Sequence, residues 1–307
     1  MAGAQAMAGD FRAAVFGLGS MGYGMAASLL RAGIMTHGFD VVPAQIEKFA
    51  AEGGAPGDVD TIGGTLDAAV VVVLNAVQAR AVLFGDAGIV PLMKPGSVVI
   101  ASPTVPPEFA REMAAACGAR GVHYLDAPIS GGSVKAGQGA LSVMASGTPE
   151  AFAAARPVLD AVAETVFEVG DAAGAGSAMK AVNQLLAGVH IATMAEALTF
   201  GMTQGVEPAR FVEVISQCAG SSWMLENRAP HIVSGDYTPH SAVEIWLKDL
   251  GIVLDIAKGA GFSAPITATA MQQYVAAAGA GLAREDDAAV AKVYARNAGL
   301  TLPGTGA

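Results

Sequence analysis

Ala14-Val15-Phe16-Gly17-Leu18-Gly19-Ser20-Met21-Gly22 runs an apolar strand straight into a Gly-x-Gly-x-x-Gly turn, and a helical pattern continues over residues 21–30. Strand, glycine turn and helix in that order are what a dinucleotide's pyrophosphate needs. Gly17 permits the tight turn, Gly19 lets backbone approach the phosphates, and Gly22 lets helix and strand pack closely. Leu18, Ser20 and Met21 complete the loop. The helix start then offers unpaired N–H groups and the positive end of its dipole. Glycine is abundant, 39 of 307 residues, so the spacing alone says little; its flanking elements carry the reading.

Asp40 adds to it. Residues 34–39 read as a second strand, interrupted by Gly38, and Asp40 ends it. An acid about 20 residues past the glycine turn bonds the adenosine ribose hydroxyls; the plain alternative is a turn-forming aspartate. A carboxylate there repels a 2′-phosphate, and Val41-Val42-Pro43 supplies no arginine to receive one. The expected cofactor is therefore NAD.

Working outward, strand-like residues 13–16, 35–39, 69–74, 98–100, 122–125, 141–145 and 165–169 alternate with helix-like residues 21–30, 43–51, 107–117 and 149–162. The Val-rich run at 69–74 suits a strand covered on both faces. The pattern predicts a Rossmann-type, doubly wound α/β sheet over residues 1–174, extended beyond the minimal nucleotide-binding half. The texture changes at Gly174. Residues 177–202 show no strand signal and no proline, and apolar or small side chains surround most of the circumference, which predicts a buried helix. At roughly 26 residues it spans about 39 Å, enough to join two domains. Helical patterns at 208–217, 222–229, 242–258, 266–278 and 286–297 make residues 175–307 an all-helical domain. Residues 1–10 read as a loose leader.

Composition narrows the function classes. Hydrophobic residues make up 53% of the chain, which excludes disorder. A net charge of −10 without a basic patch argues against nucleic acid. No unbroken apolar run reaches bilayer length, so no membrane partner is expected. Cys117 and Cys218 make neither a disulfide scaffold nor a metal set, and each reads as a small buried hydrophobe; the scattered histidines give no metal spacing. No metal is expected, and a cytoplasmic location is.

Lys180 is the strongest catalytic candidate, a lone lysine in Gly174-Ala175-Gly176-Ser177-Ala178-Met179-Lys180-Ala181-Val182-Asn183-Gln184. Asn183 and Gln184 share its helix face. A lysine on an apolar helix either snorkels to solvent or is placed for use, and partial burial fits an amine for proton exchange near neutrality. Asn183 can bond the substrate or hold the lysine. A second cluster, Asp126-Ala127-Pro128-Ile129-Ser130-Gly131-Gly132-Ser133, leaves a strand for a glycine-rich turn where backbone N–H groups and the Ser130 hydroxyl can hold a carboxylate. Asn75 and Thr104 follow other strands and suit cofactor contacts. Lys248-Asp249 lies in an apolar helix; Lys248 can reach the nicotinamide end of a cofactor held between the domains, or simply pair with its neighbour. Trp246 reads as core, His190 as a packed or hydrogen-bonded histidine, and Asp286 and Asp287 as helix caps.

Together these segments resemble the β-hydroxyacid dehydrogenase family, whose members include 3-hydroxyisobutyrate, 6-phosphogluconate and tartronate semialdehyde enzymes. The resemblance rests on the cofactor loop at Gly17, the Asp126 segment, the Lys180 segment and Lys248-Asp249-Leu250. It implies a Rossmann-type domain and a helical domain joined by one long helix, with NAD as cofactor and a small hydroxycarboxylate as substrate. It also implies Lys180 as acid/base, Asn183, Ser130, Gly131 and Gly132 at the substrate, Asn75, Thr104 and Lys248 at the cofactor, and a homodimer or homotetramer. Pro103 departs from the small polar residue usual before that threonine and removes one N–H. Asn183 to Ile191, Trp223 to Arg228 and Gly235-Asp236-Tyr237-Thr238-Pro239 resemble the family's L-threonate branch, which oxidises a C2 alcohol. Tartronate semialdehyde reduction, 3-hydroxyisobutyrate oxidation and a non-catalytic NAD-binding scaffold are the alternatives.

Overall fold

The computed structural model describes residues 10–305. Most of the expected leader lies outside them. The chain divides into two compact units, Met1–Lys180 and Ala181–Ala307.

The first unit opens with β1 (Arg12–Phe16), α1 (Gly22–Arg31), β2 (Met35–Phe39), α2 (Pro43–Ala51), α3 (Val59–Ile62), β3 (Ala68–Val71), α4 (Ala76–Phe84), β4 (Val98–Ala101), α5 (Pro107–Gly118) and β5 (His123–Asp126). It continues with β6 (Ile129–Ser130), α6 (Gly132–Gln138), β7 (Leu141–Ser146), α7 (Pro149–Val162) and β8 (Ala163–Gly170). One sheet runs in the order β2-β1-β3-β4-β5-β7-β6, with β8 on β7. The strands from β2 to β5 are parallel; β7 runs antiparallel to β5 and β6, and β8 parallel to β7. Alternate residues supply two cores. Ala13, Val15, Val70, Val98 and Ile100 face Met25, Leu29 and Val158 on one side. Ala14, Phe16, Val71, Val99 and Ala101 face Leu83, Met113 and Cys117 on the other. The central strands are buried on both faces, which is why they read as unbroken apolar runs. The order reverses between β1 and β3, so the glycine turn leaves the sheet at its topological switch point.

Three local readings need correction. β3 ends at Val71; Val72 N still donates to Phe16 O of β1, and Val73 and Leu74 lie beyond the strand, although they continue its composition. Helices α4 and α6 form where the sequence reading placed no helix. Asn75 caps α4 by accepting from Gln78 N, and Gln78 Oε1 accepts from Leu74 N, a near-reciprocal cap that its composition hid. Cys218 is exposed, while Cys117 is buried and burial pushes its thiol up to about 12.

α8 (Ala175–Thr203) begins in the first unit and continues into the second. The second unit adds α9 (Pro208–Ile215), α10 (Trp223–Ser234), α11 (Val243–Gly259), α12 (Pro265–Ala277) and α13 (Ala291–Ala298), and no strand among its described residues. Its core gathers Ile191, Ala195 and Leu198 of α8 with Leu225, Trp246, Leu250 and Tyr274. α8 is long and apolar enough to cross a membrane by length and composition alone. It is not buried all round: Val182, Leu186 and Phe200 are exposed. An apolar circumference records composition, whereas burial depends on which sides neighbouring helices reach. The last expected helix is split into a short 3-10 segment, Asp287–Val290, and α13.

Candidate active site

The glycine turn has the geometry that its sequence requires. Gly17 has φ +99°, and a Cβ there would lie 2.4 Å from the Val72 carbonyl oxygen. A Cβ on Gly22 would lie 1.8 Å from Gly17 O. Gly19 differs: no protein atom lies within 4 Å of where its Cβ would be. Nothing in the chain itself demands glycine at 19; a close-lying ligand would. α1 has no side-chain cap and no acid in its first turn, so its leading N–H groups keep their positive field for an anion. Asp40 is held from two sides, accepting from Leu18 N at 2.6 Å and Val42 N at 2.8 Å. Gly19, Ser20, Tyr23, Gln45, Lys48 and Ser133 line a cleft of about 400 Å³ beside the loop. The residues present fit a dinucleotide.

The start of α8 is built around Asp126, at the carboxyl end of β5. Its Oδ2 accepts from Gly174 N at 2.9 Å and Ser177 N at 2.8 Å, and its Oδ1 accepts from the Ser177 hydroxyl at 2.7 Å. Ser146 Oγ takes Gly176 N at 2.8 Å. Burial raises the Asp126 carboxyl above its usual range, and the hydrogen bonds from Ser177, Gly174 and Ser146 oppose that. Gly176 permits this approach, since a Cβ there would lie 2.5 Å from Met144 O. The clamp sets the helix phase that brings buried Lys180 to the Asp126 segment, where Nζ donates to Ile129 O at 2.8 Å. Ser130 follows directly, and Gly131 and Gly132 take positive φ to open the turn. Lys180 and the Ser130-Gly131-Gly132 turn are thus neighbours in one unit. The sequence reading placed Asp126 in the loop but missed its clamping role, because its partners lie some fifty positions away.

In the second unit Asn183 Nδ2 donates to Gln184 Oε1 at 2.9 Å, and Gln184 Nε2 donates to Asp249 Oδ2 at 2.5 Å. Lys248 Nζ lies 2.6 Å from Asp249 Oδ1, so the local pair foreseen as its alternative reading is present. Asn75 caps α4, Thr104 is half-buried beyond β4, Trp246 is core and His190 is half-buried. Asp286 does cap the segment after it, through Ala288 N, but Asp286 and Asp287 are also fully buried. Asp287 binds Arg228 and Trp246; Asp286 binds His231 and the backbone of His240. No group of three or more potential metal ligands occurs among the described residues.

Comparison with known proteins shows the family. Residues 12–170 match the NAD binding domain of 6-phosphogluconate dehydrogenase, and residues 174–294 match the NAD-binding model of NADP-dependent 3-hydroxyisobutyrate dehydrogenase. The chain is 48% identical to L-threonate dehydrogenase of Cupriavidus necator, over 94% of this chain and 97% of that protein. It is 44% identical to L-threonate dehydrogenase of Escherichia coli K12, over 96% and 97%. A crystal structure of 3-hydroxyisobutyrate dehydrogenase from Salmonella typhimurium superposes with a TM-score of 0.87 at 49% identity, covering 92% of this chain and 100% of that one. The chain belongs to the β-hydroxyacid dehydrogenase family, of the 3-hydroxyisobutyrate dehydrogenase-like kind. It is an NAD-dependent dehydrogenase acting on hydroxy acids, which sets aside the scaffold alternative.

Proposed function

We propose that the chain oxidises L-threonate at its C2 hydroxyl to 2-oxotetronate, with Lys180 as acid/base. The observation that carries the chemistry is Lys180: a buried amine, aimed at the Ile129 carbonyl and so placed beside the Ser130-Gly131-Gly132 turn. The relatives at 44–48% identity named L-threonate dehydrogenase support the substrate. Bound NAD supplies the acceptor for the hydride leaving C2. Ser130 Oγ and the backbone N–H groups of Gly131 and Gly132 hold the substrate carboxylate. Lys180 takes the hydroxyl proton and, once charged, stabilises the oxygen; in reduction it gives the proton back. Asn183 steadies the substrate or the lysine. Asp40 takes the ribose hydroxyls, and Gly17 to Gly22, Asn75, Thr104 and Lys248 complete the cofactor contacts.

Residues 1–174 serve as the NAD-binding domain and residues 175–307 as the domain for substrate and self-association. Assembly is as a homodimer or homotetramer, for which the exposed Val182, Leu186 and Phe200 provide the kind of surface that association covers. A cytoplasmic location goes with the two free cysteines.

The test is a panel of C3, C4 and C5 hydroxy acids scored by NADH formation. L-threonate should give the highest kcat/KM. The Salmonella structure favours 3-hydroxyisobutyrate as a second reading; faster turnover of that acid would replace the first.

A further inference from the structure

Asn183, Gln184 and Asp249 form a hydrogen-bonded chain with a fixed direction. An ionised carboxylate has no hydrogen to donate. The Gln184 atom 2.5 Å from Asp249 Oδ2 must therefore be its NH₂ nitrogen. That turns Gln184 Oε1 away from Asp249, toward Asn183, where it accepts from Nδ2 at 2.9 Å. With its NH₂ end turned to Gln184, Asn183 has the carbonyl oxygen Oδ1 as its opposite end, and one Nδ2 hydrogen besides. The anchor is firmly held: Asp249 is 2% exposed and Gln184 8%, and the Lys248 ammonium lies 2.6 Å from Asp249 Oδ1. In so dry a setting a reversed amide would face donor with donor or acceptor with acceptor, a heavily penalised arrangement.

We propose that Asp249, acting through Gln184, is a positioning residue that turns the NH₂ end of Asn183 inward, so that the carbonyl oxygen, a hydrogen-bond acceptor, is the end turned to its ligand. The inference rests on the reading of Asn183 as a substrate-site residue and deepens it. An acceptor at Asn183 meets an alcohol O–H or a protonated amine; a donor there would instead favour a carboxylate. The relay thus makes Asn183 a reader of hydroxyl groups and leaves the carboxylate to the Ser130 turn.

The direction of the relay can be reversed by design. In Asp249→Asn the new amide can turn its NH₂ toward Gln184, so that Gln184 flips and Asn183 presents N–H. In Asn183→Asp a new carboxylate faces Gln184 Oε1, acceptor against acceptor. Each single change should lower kcat/KM by about ten- to a hundredfold, the usual loss when an outer hydrogen-bond partner is removed. With both changes the chain runs the other way with every bond made, and position 183 again offers an acceptor. The double variant should therefore recover at least about tenfold over the worse single. In an Asn183→Ala background, Asp249→Asn should add no further loss. NAD affinity and melting temperature are measured alongside. If Asp249→Asn does not fold, Gln184→Met cuts the same link and should match its loss.

Multiplying losses in the double variant, near-native activity in either single, or a further loss in the Asn183→Ala background would each overturn the relay. Lys180→Ala separates this failure from that of the functional reading. If it retains turnover, the site itself is misassigned; if it is inactive while the cycle is additive, only the relay falls.

Discussion

Asp126 in the α/β unit and Asp287 in the helical unit are both buried carboxylates whose affinity for a proton is raised by loss of solvent. They are satisfied in different ways. Asp126 has neutral partners, the backbone N–H groups of Gly174 and Ser177 with the hydroxyls of Ser177 and Ser146. Asp287 has a cation, Arg228 Nε at 2.6 Å, and the indole N–H of Trp246 at 2.9 Å. Gly174 and Ser177 stand at the start of the helix that carries Lys180, and Ser146 lies on β7, so that network sets the phase of the helix bearing the proposed acid/base. The donors to Asp287 come from α10 and α11, so that network ties helices together. Burial of a charge thus serves alignment in one unit and cohesion in the other.

The comparison can be broken most severely at the residue that Asp126 serves. Lys180→Ala should lower turnover by about two to four orders of magnitude, the range for a positioned acid/base, while NAD affinity measured by fluorescence titration stays close to native. Normal turnover would reduce the Asp126 clamp to a structural device.

Arg228→Met should come next, with its effect on stability alone. It leaves Asp287 without its cation and should cost about 3–5 kcal/mol in urea denaturation, with kcat per folded molecule unchanged. Its pH dependence follows from the sign of the shift. The folded-state pKa of Asp287 is already above its unfolded value, so this group supports folding when protonated and loses that support as pH rises through the folded value. Removing Arg228 raises the folded value further. The deficit should therefore be smaller at pH 5 than at pH 8; a larger deficit in acid would contradict the assignment.

Asp126→Asn should show both effects in smaller measure. The amide keeps the shape, and its oxygen at the Oδ2 position still accepts from Gly174 N and Ser177 N, but its NH₂ replaces the acceptor of the Ser177 hydroxyl. Stability should fall by about 1–3 kcal/mol. Unlike Arg228→Met, this variant should also lose kcat per folded molecule, because the phase of the Lys180 helix is disturbed. Equal kcat in the two variants would erase the distinction.

The glycine turn repeats the contrast on the smallest scale. Gly17→Ala meets Val72 O and a positive φ, and should lower the melting temperature. Gly19→Ala meets no protein atom, so it should melt as the native chain does and weaken only NAD binding. A fall in melting temperature for Gly19→Ala would show that position 19 serves the fold.

Much of this was legible in the chain. The Gly17 to Gly22 turn, the alternating elements and the change at Gly174 each rest on residue type and short-range spacing, whose meaning local backbone chemistry fixes. α4 and α6 were missed because small residues and glycine disguise short helices. β3 was read too long because Val73 and Leu74 match the strand in composition but lie beyond its last ladder bond, from Val72 N to Phe16 O.

The sequence by itself determined the main alternation of strands and helices, the cofactor turn and the single lysine on an apolar helix, since period and residue type act over short range. Only the tertiary structure decided that Asp126 grips the first turn of that helix. Likewise, only the fold set Asp249 on Gln184 and paired Arg228 with Asp287. These contacts join residues some fifty or more positions apart, and a buried carboxylate's role depends on which donors the fold brings to it, which no local pattern of the chain records.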